Sequence, residues 1–424
     1  MMDGEKEPIE ISEENYLRLV SRRDELLEKF GLQDGFPVGA TEEAQKWERE
    51  NKEEIKKEME EERREDLRHL TTWTTDPASA QDFDDALSIE VDENGYRVWV
   101  YIADVTHYVT PDTKTWEMAM ERGNSTYLSG HTIHMLPREL AENVCSLVPG
   151  EDRLAHTVEM YINKETLSYE SINIYKSVIR SNERLTYGEC EKKLEDEDAS
   201  LYEECNNIYD MASRFQKQRR EDGSLVLNQN RDRAHTMIEE CMLKANRAVT
   251  HELMWTRGVE AMYRVHPQPT PMEWDSALQE IQKMSGINIS TVVLEDPRMV
   301  VNAAIESAEP YQIDRIKRSV LKVMPRAMYM ADPFGGHHAL NFDIYGHFTS
   351  PIRRMSDLIN HWIVHTMEIP KNLDELCKKA QEMQKKSERC EREYDQILRD
   401  EDLDPAIIRD CGIKCIKMQE ENDI

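Results

Sequence analysis

The chain has 424 residues (49.7 kDa) with 84 acidic against 54 basic side chains, a formal charge of −30 and a mean hydropathy of −0.73. Its 39% apolar share still builds a core at this length, as one large domain or two smaller ones. No run of about 18 apolar residues exists, so a membrane-spanning helix is excluded. The opening Met1-Met2-Asp3-Gly4-Glu5 lacks the basic-then-apolar order of a secretory signal. Eight dispersed cysteines without a Cys-x-x-Cys pair fit neither a disulfide framework nor a zinc ribbon. Reduced thiols and a cytoplasmic location are the expectation. The acidity argues against a polyanionic partner only globally, because a locally basic channel holds phosphates whatever the exterior charge.

Residues 1–70 form an acidic N-terminal extension. From Thr41 to Leu70 there is no Gly or Pro and little apolar content, which predicts a long solvated helix with i,i+4 Glu–Lys and Glu–Arg pairs. Character changes at Leu70. Leu87-Ser88-Ile89-Glu90-Val91 alternates, Asn94-Gly95 signals a turn, and Tyr96–Ala103 follows as a second strand. Strands are expected again at 156–162 and 172–180. Helices are expected at 235–256, at 313–330 and from Pro351 to about Met367. The fold class is therefore α/β (mixed α+β), with a mixed sheet surrounded by helices in a catalytic domain over 71–370. A charged helical tail spans 371–424, with a helix from about Leu373 to Asp400 and a short one starting at Asp404-Pro405.

The chemistry concentrates in Thr75-Asp76-Pro77-Ala78-Ser79-Ala80-Gln81-Asp82-Phe83-Asp84-Asp85-Ala86, where four carboxylates precede an apolar strand. Crowded carboxylates repel, and a hard divalent cation removes that cost, Mg²⁺ or Mn²⁺ before zinc. An EF-hand loop is excluded: counted from Asp82, Ala86 and Leu87 stand where Asp or Asn and then Gly are needed; counted from Asp76, Ala78 and Ala80 cannot ligate. The alternative is a plain solvent-facing acidic turn. A second cluster, Tyr345-Gly346-His347-Phe348-Thr349-Ser350-Pro351-Ile352-Arg353-Arg354, resembles a helix start that aims backbone N–H groups and Arg353 at an anion. Carboxylate-bound cations beside an arginine are the equipment for phosphate-ester hydrolysis, although alone the arginines read as a surface pair.

Taken in order with Ile102-Ala103-Asp104-Val105, Met135-Leu136-Pro137-Arg138-Glu139-Leu140 and Ile238-Glu239-Glu240-Cys241-Met242, these segments resemble the RNase II/RNase R family from about Thr72 to Met367. By wording, RNase R is the nearer relative. The resemblance implies a Mg²⁺-dependent 3′→5′ exoribonuclease that releases nucleoside 5′-monophosphates from single-stranded RNA. It implies Asp76, Asp82, Asp84 and Asp85 as metal ligands, with Asp84 most critical to cleavage and Arg353 on the scissile phosphate. Tyr127 is matched to a base-stacking tyrosine, Tyr187 to a channel tyrosine and Glu239 to a ribose contact that tells RNA from DNA. His338 is taken as a nucleotide contact, since oxygen-ligated Mg²⁺ has no need of histidine.

Three departures from the family are expected. No cold-shock modules precede the domain, no S1 barrel follows it, and Leu227 stands where relatives carry a second stacking aromatic, in a stretch to His235 that looks short. Basic lining would come from Arg122, Arg138, Arg180, Arg184 or the helix bearing Arg315, Lys317, Arg318, Lys322 and Arg326. The competing reading is a catalytically weak RNA-binding or scaffold protein. A protein partner docked on the helical extensions would supply the missing RNA grip.

Overall fold

The computed structural model describes residues 9–227, 232–256, 258–285 and 296–416. Strand β1 (Ile9–Ser12) leads into helix α1 (Glu13–Phe30), where Ser12 Oγ accepts the Asn15 N–H. Helix α2 (Val38–Glu60) is shorter than the helix expected to Leu70. The chain turns at Glu62, with φ +52°, and Arg64 then points inward. One stripe of α2, comprising Ala40, Ala44, Asn51, Ile55 and Glu58, faces the core at helical spacing. Two of those five residues are polar, so hydropathy alone conceals the stripe.

There follow β2 (Glu65–Asp66), β3 (Trp73–Asp76), β4 (Asp85–Val91), β5 (Gly95–Ala103), α3 (Lys114–Arg122), β6 (Thr126–Leu128) and β7 (His131–Ile133). Next come β8 (Asp152–Asn163), β9 (Tyr169–Arg180), β10 (Glu183–Thr186), α4 (Tyr187–Lys193), α5 (Tyr202–Glu221) and α6 (Arg233–Val249). The β4–β5 hairpin pairs Val91 with Tyr96, as its turn signal predicts. Seven strands form one mixed sheet in the order β10-β3-β4-β5-β8-β9-β2, parallel at β10–β3 and β9–β2 and antiparallel elsewhere. Both faces are covered. On β5, Trp99, Tyr101 and Ala103 join a core with α2, while Val98, Val100 and Ile102 join a second core with α5 and α6.

The rest comprises β11 (Tyr263–Val265), α7 (Pro271–Ser285), α8 (Pro297–Ser307), α9 (Pro310–Val323), β12 (Met328–Met330), α10 (Met355–Thr366), α11 (Leu373–Asp400), α12 (Pro405–Cys411) and β13 (Ile413–Ile416). The helix expected to residue 330 ends at Val323, because Pro325 disfavours helix just before it, and β12 follows. The helix expected over 235–256 is α-helical only to Val249 and widens over Thr250–Trp255. The terminal segments meet: β1 runs parallel to β13, from Ile9 opposite Ile413 to Ser12 opposite Ile416. No helix among the described residues is long and apolar enough to cross a membrane.

A buried ion network ties α2 to the sheet. The Arg64 side chain has no exposure, and it donates to Glu58 Oε2 at 2.8 Å and to Asp104 Oδ2 at 2.7 Å. His156 stands 3.2 Å from the other Asp104 oxygen. Burial alone would raise the Asp104 pKa, but His156 and Arg64 outweigh it and hold this carboxyl well below the usual range. Its contribution to stability is therefore complete above about pH 4 and is lost as pH falls through its lower folded value. Asp104→Ala leaves Arg64 buried beside an absent partner and should cost about 3–5 kcal/mol at pH 7 in urea unfolding. The variant should also lack this component of the wild-type acid destabilisation below about pH 4.

Candidate active site

Strand β3 delivers Asp76 beside Thr186 of β10, and β4 begins at Asp85 opposite Ile102. Between them the chain folds back on itself and is held at several points. Ser146 Oγ donates to Gln81 O at 2.7 Å and accepts the Phe83 N–H at 3.0 Å. The Leu147 N–H donates to Phe83 O at 3.0 Å, and the Ala103 N–H to Asp84 O at 2.9 Å. Arg184 Nη2 donates to the carbonyls of Pro77 and Ala78 at 2.7 and 3.0 Å, over the buried Phe83 ring. Arg184, read from the sequence as a lining cation, here secures the loop.

The 345–354 segment meets this loop. Ile352 N–H donates to Asp84 Oδ1 at 2.8 Å and Arg353 Nε to Asp84 Oδ2 at 3.2 Å, so Asp84, 3% exposed, is gripped on both oxygens. No helix starts at Pro351. The helix begins at Met355, and the turn before it is held by Asp357, which accepts the Ser350 N–H at 2.9 Å and Arg354 Nη2 at 2.7 Å. The backbone N–H expected to face an anion does face one, and it is the protein's own carboxylate. Asn246 holds the other end, accepting the Phe348 N–H at 2.7 Å and donating to Tyr345 Oη and Thr349 Oγ1.

Burial raises the pKa of Asp84, opposed by Arg353 and the Ile352 N–H. Burial, then repulsion from Asp85, pushes Asp76 well up. Burial likewise lifts Asp85 to about 6 against the pull of Arg353 and Arg354. Asp76 Oδ2 is buried with no hydrogen-bond partner. Hard oxygen donors lining one cavity, one of them an orphaned acceptor, fit a divalent cation. Among the described residues, Glu54, Glu58 and His107 are the one trio with ligand atoms within 4.8 Å of one another, yet Arg64 lies 3.3 Å from His107 Nδ1 and bonds Glu58. That trio is an ion-pair network, whereas the aspartates, spread more widely, share a cavity.

The cavity measures about 530 Å³ and brings together Asp76, Asp82, Asp84, Asp85, Tyr127, Tyr187, Glu239 and Arg353. Tyr127 Oη donates to Asp82 Oδ2 at 2.5 Å. Tyr187 stacks on His235 with ring centroids 3.7 Å apart and planes within 6°. Glu239 lies 3.6 Å from Arg219 and also lines a neighbouring hollow with Leu227. His338 is not in this cavity; its ring lies 6.0 Å from that of Trp274. Leu227 packs on the α7–α9 cluster, and residues 228–231 of the stretch beyond it lie outside the described residues. Arg122 bonds His134 O at 2.6 Å, Arg180 pairs with Asp152 and Arg326 with Glu388, so none of these lines the cavity. Arg354, Tyr345, His347 and His134 do line it. Of these, Tyr345, His347 and Arg354 belong to the 345–354 cluster that the sequence singles out.

A family model described as the RNB domain matches residues 64–369. Ribonuclease R of Chlamydia pneumoniae is 36% identical over 320 residues, covering 70% of this chain and 47% of that protein. The chain thus spans about half the length of the curated relatives it matches. RNase R of Mycoplasma genitalium, solved in complex with ribose-methylated single-stranded RNA, shares the fold with a TM-score of 0.78 at 22% identity, over 90% of this chain and 64% of that one. Yeast Ssd1, described as a pseudonuclease, shares it with a TM-score of 0.70 at 19% identity, over 80% and 45% of the two chains. Matched over most of its length, with its acidic segment, Glu239 and the 345–354 segment gathered round one cavity, the chain belongs to the RNB-domain family.

Proposed function

We propose that this chain is a cytoplasmic hydrolase that removes nucleotides from the 3′ end of single-stranded RNA as nucleoside 5′-monophosphates. The observation that carries this reading is Asp84, buried and gripped by the Ile352 N–H and Arg353 within a cavity that also holds Asp76, Asp82, Asp85 and Tyr127. The relatives named ribonuclease R support it. The four aspartates would hold Mg²⁺, or Mn²⁺ in its place; when bound, the ion polarises the phosphate and acidifies water.

The chain's own groups do the rest. Arg353 is partly exposed on the cavity side, where its guanidinium meets phosphate charge, and its bond to Ser350 Oγ at 2.8 Å fixes its direction. Asp82 holds the Tyr127 hydroxyl, which sets the ring as a platform for a base of any sequence. Glu239, which lines the cavity, would accept from a ribose 2′-hydroxyl. The fold shared with a pseudonuclease keeps a second reading in view, an RNA-binding protein of weak activity.

Incubation of 5′-labelled single-stranded RNA with Mg²⁺ should give laddered shortening from the 3′ end, abolished by chelator. Asp84→Asn should slow it at least about a hundredfold, the cost of losing one well-placed charged group. Intact RNA in every lane would favour the second reading. Cation binding is measurable without activity: Mg²⁺ at a hundred times its dissociation constant should add about 2.7 kcal/mol to wild-type unfolding. Asp76→Asn combined with Asp85→Asn should lose most of that gain. A matched DNA oligomer should be the poorer substrate, and Glu239→Ala should narrow the difference between the two.

A further inference from the structure

Tyr127 stands on the β6–β7 hairpin, and that hairpin has little sheet of its own: two strands of three residues each, paired only with one another. A ribbon this short is not stable by itself. Its support comes from α1, α11 and α12. Ser387 Oγ meets Asn124 Nδ2 and Thr126 Oγ1, each at 2.7 Å. Asp395 Oδ1 accepts from Ser129 Oγ at 2.9 Å, and Arg409 Nε donates to that hydroxyl at 3.0 Å.

The spacing explains the fit. From Ser387 to Asp395 a helix advances about 12 Å, close to the roughly 10 Å that a strand covers from Thr126 to Ser129. One face of α11 therefore runs in step with β6. The contact is close at both ends of the hairpin. A Cβ on Gly123 (φ +74°) would lie 2.5 Å from Met383 Cβ of α11, and one on Gly130 (φ +79°) 3.1 Å from Ile408 of α12. Between these points, Leu128 and Ile133 of the hairpin are buried with Leu19, Leu26, Leu27 and Phe30 of α1 and with Cys390, Tyr394 and Leu398 of α11. The helical side of this contact lies outside residues 64–369, which the family model matches, and the hairpin side lies within them.

We infer that the two ends of the chain form a brace whose task is to hold Tyr127 against Asp82, with Ser387, Asp395 and Arg409 as positioning residues for base stacking. The inference rests on the reading of Tyr127 as the stacking group and adds what sets that group in place. It also assigns the terminal helices a role inside the protein.

The test uses single-stranded RNA with 2-aminopurine as its 3′-terminal base, whose fluorescence falls on stacking against an aromatic ring, bound in chelator to prevent turnover. Wild type should quench, and Tyr127→Ala should not. Ser387→Ala combined with Asp395→Ala should lose most of the quenching and weaken a five-nucleotide RNA about tenfold, within the range for one stacked base. Ser387→Thr, which keeps the hydroxyl, should stay near wild type. Ser129→Ala probes the hairpin side of the same contact and should fall in between, should the double variant fail to fold. Full quenching in the folded double variant and in Ser129→Ala, with loss in Tyr127→Ala, would overturn the brace alone. No effect of Tyr127→Ala would overturn the stacking reading and the brace with it.

Discussion

Like charges buried together are the constraint on which the rest of this structure depends. Taking a carboxylate out of water costs several kcal/mol, and doing so beside other carboxylates costs more. Asp84 tolerates it because both of its oxygens are occupied, one by a backbone N–H and one by a guanidinium. That grip in turn requires two loops, distant in sequence, to be held rigidly. Ser146, Leu147 and Arg184 fix the acidic loop, and Asn246 and Asp357 fix the 345–354 turn. The buried polar side chains of Ser146, Asn246 and Asp357 are explained by this one requirement. Burial pushes Asp76 and Asp85 up as well, against the pull of Arg184 on the first and of Arg353 and Arg354 on the second.

The sheet makes this possible. With both faces covered, β3, β4 and β5 are rigid strands, and the only freedom left to the acidic segment is the loop between β3 and β4. Carboxylates carried on that loop are repelled outward from one another, yet pinned backbone on either side returns them to a single cavity. Tyr127 reaches the same cavity from a different support, the unit formed by the chain's two ends. Site and support are thus built from different parts of the fold and meet at the bond from Tyr127 to Asp82.

Much of this was legible in the sequence because it is local. The β4–β5 hairpin follows from alternation and Asn94-Gly95, and the order of the motifs points to the same family that the RNB-domain model matches. What escaped is non-local or polar. The inward stripe of α2 contains Asn51 and Glu58, so a hydropathy reading scores it as solvated. The pairing of β1 with β13 joins segments about four hundred residues apart, which no local pattern encodes. Pro351 looked like a helix start because proline suits that position, but Ile352 is held in a turn by Asp84 and the helix waits until Met355. His338 borrowed significance from its neighbours in the chain, although the fold turns it toward Trp274.

The net charge of −30 and an RNA substrate are compatible for a reason of scale. At physiological ionic strength, charges interact across water over only about 8 Å, so the acidic exterior and the cavity are electrostatically separate. Outside, many acidic residues are matched by lysines one helical turn away, as in Lys46–Glu50 and Lys56–Glu60. Inside, Arg353 and Arg354 face the cavity within a low-dielectric wall that strengthens their field. A phosphate chain is therefore weakly held along such a surface, and under the proposed function its end would meet Arg353 and Arg354 only in the cavity, where a bound cation would offset the carboxylates. Under the proposed function that difference would favour an end over an internal stretch, and a basic exterior would erase it.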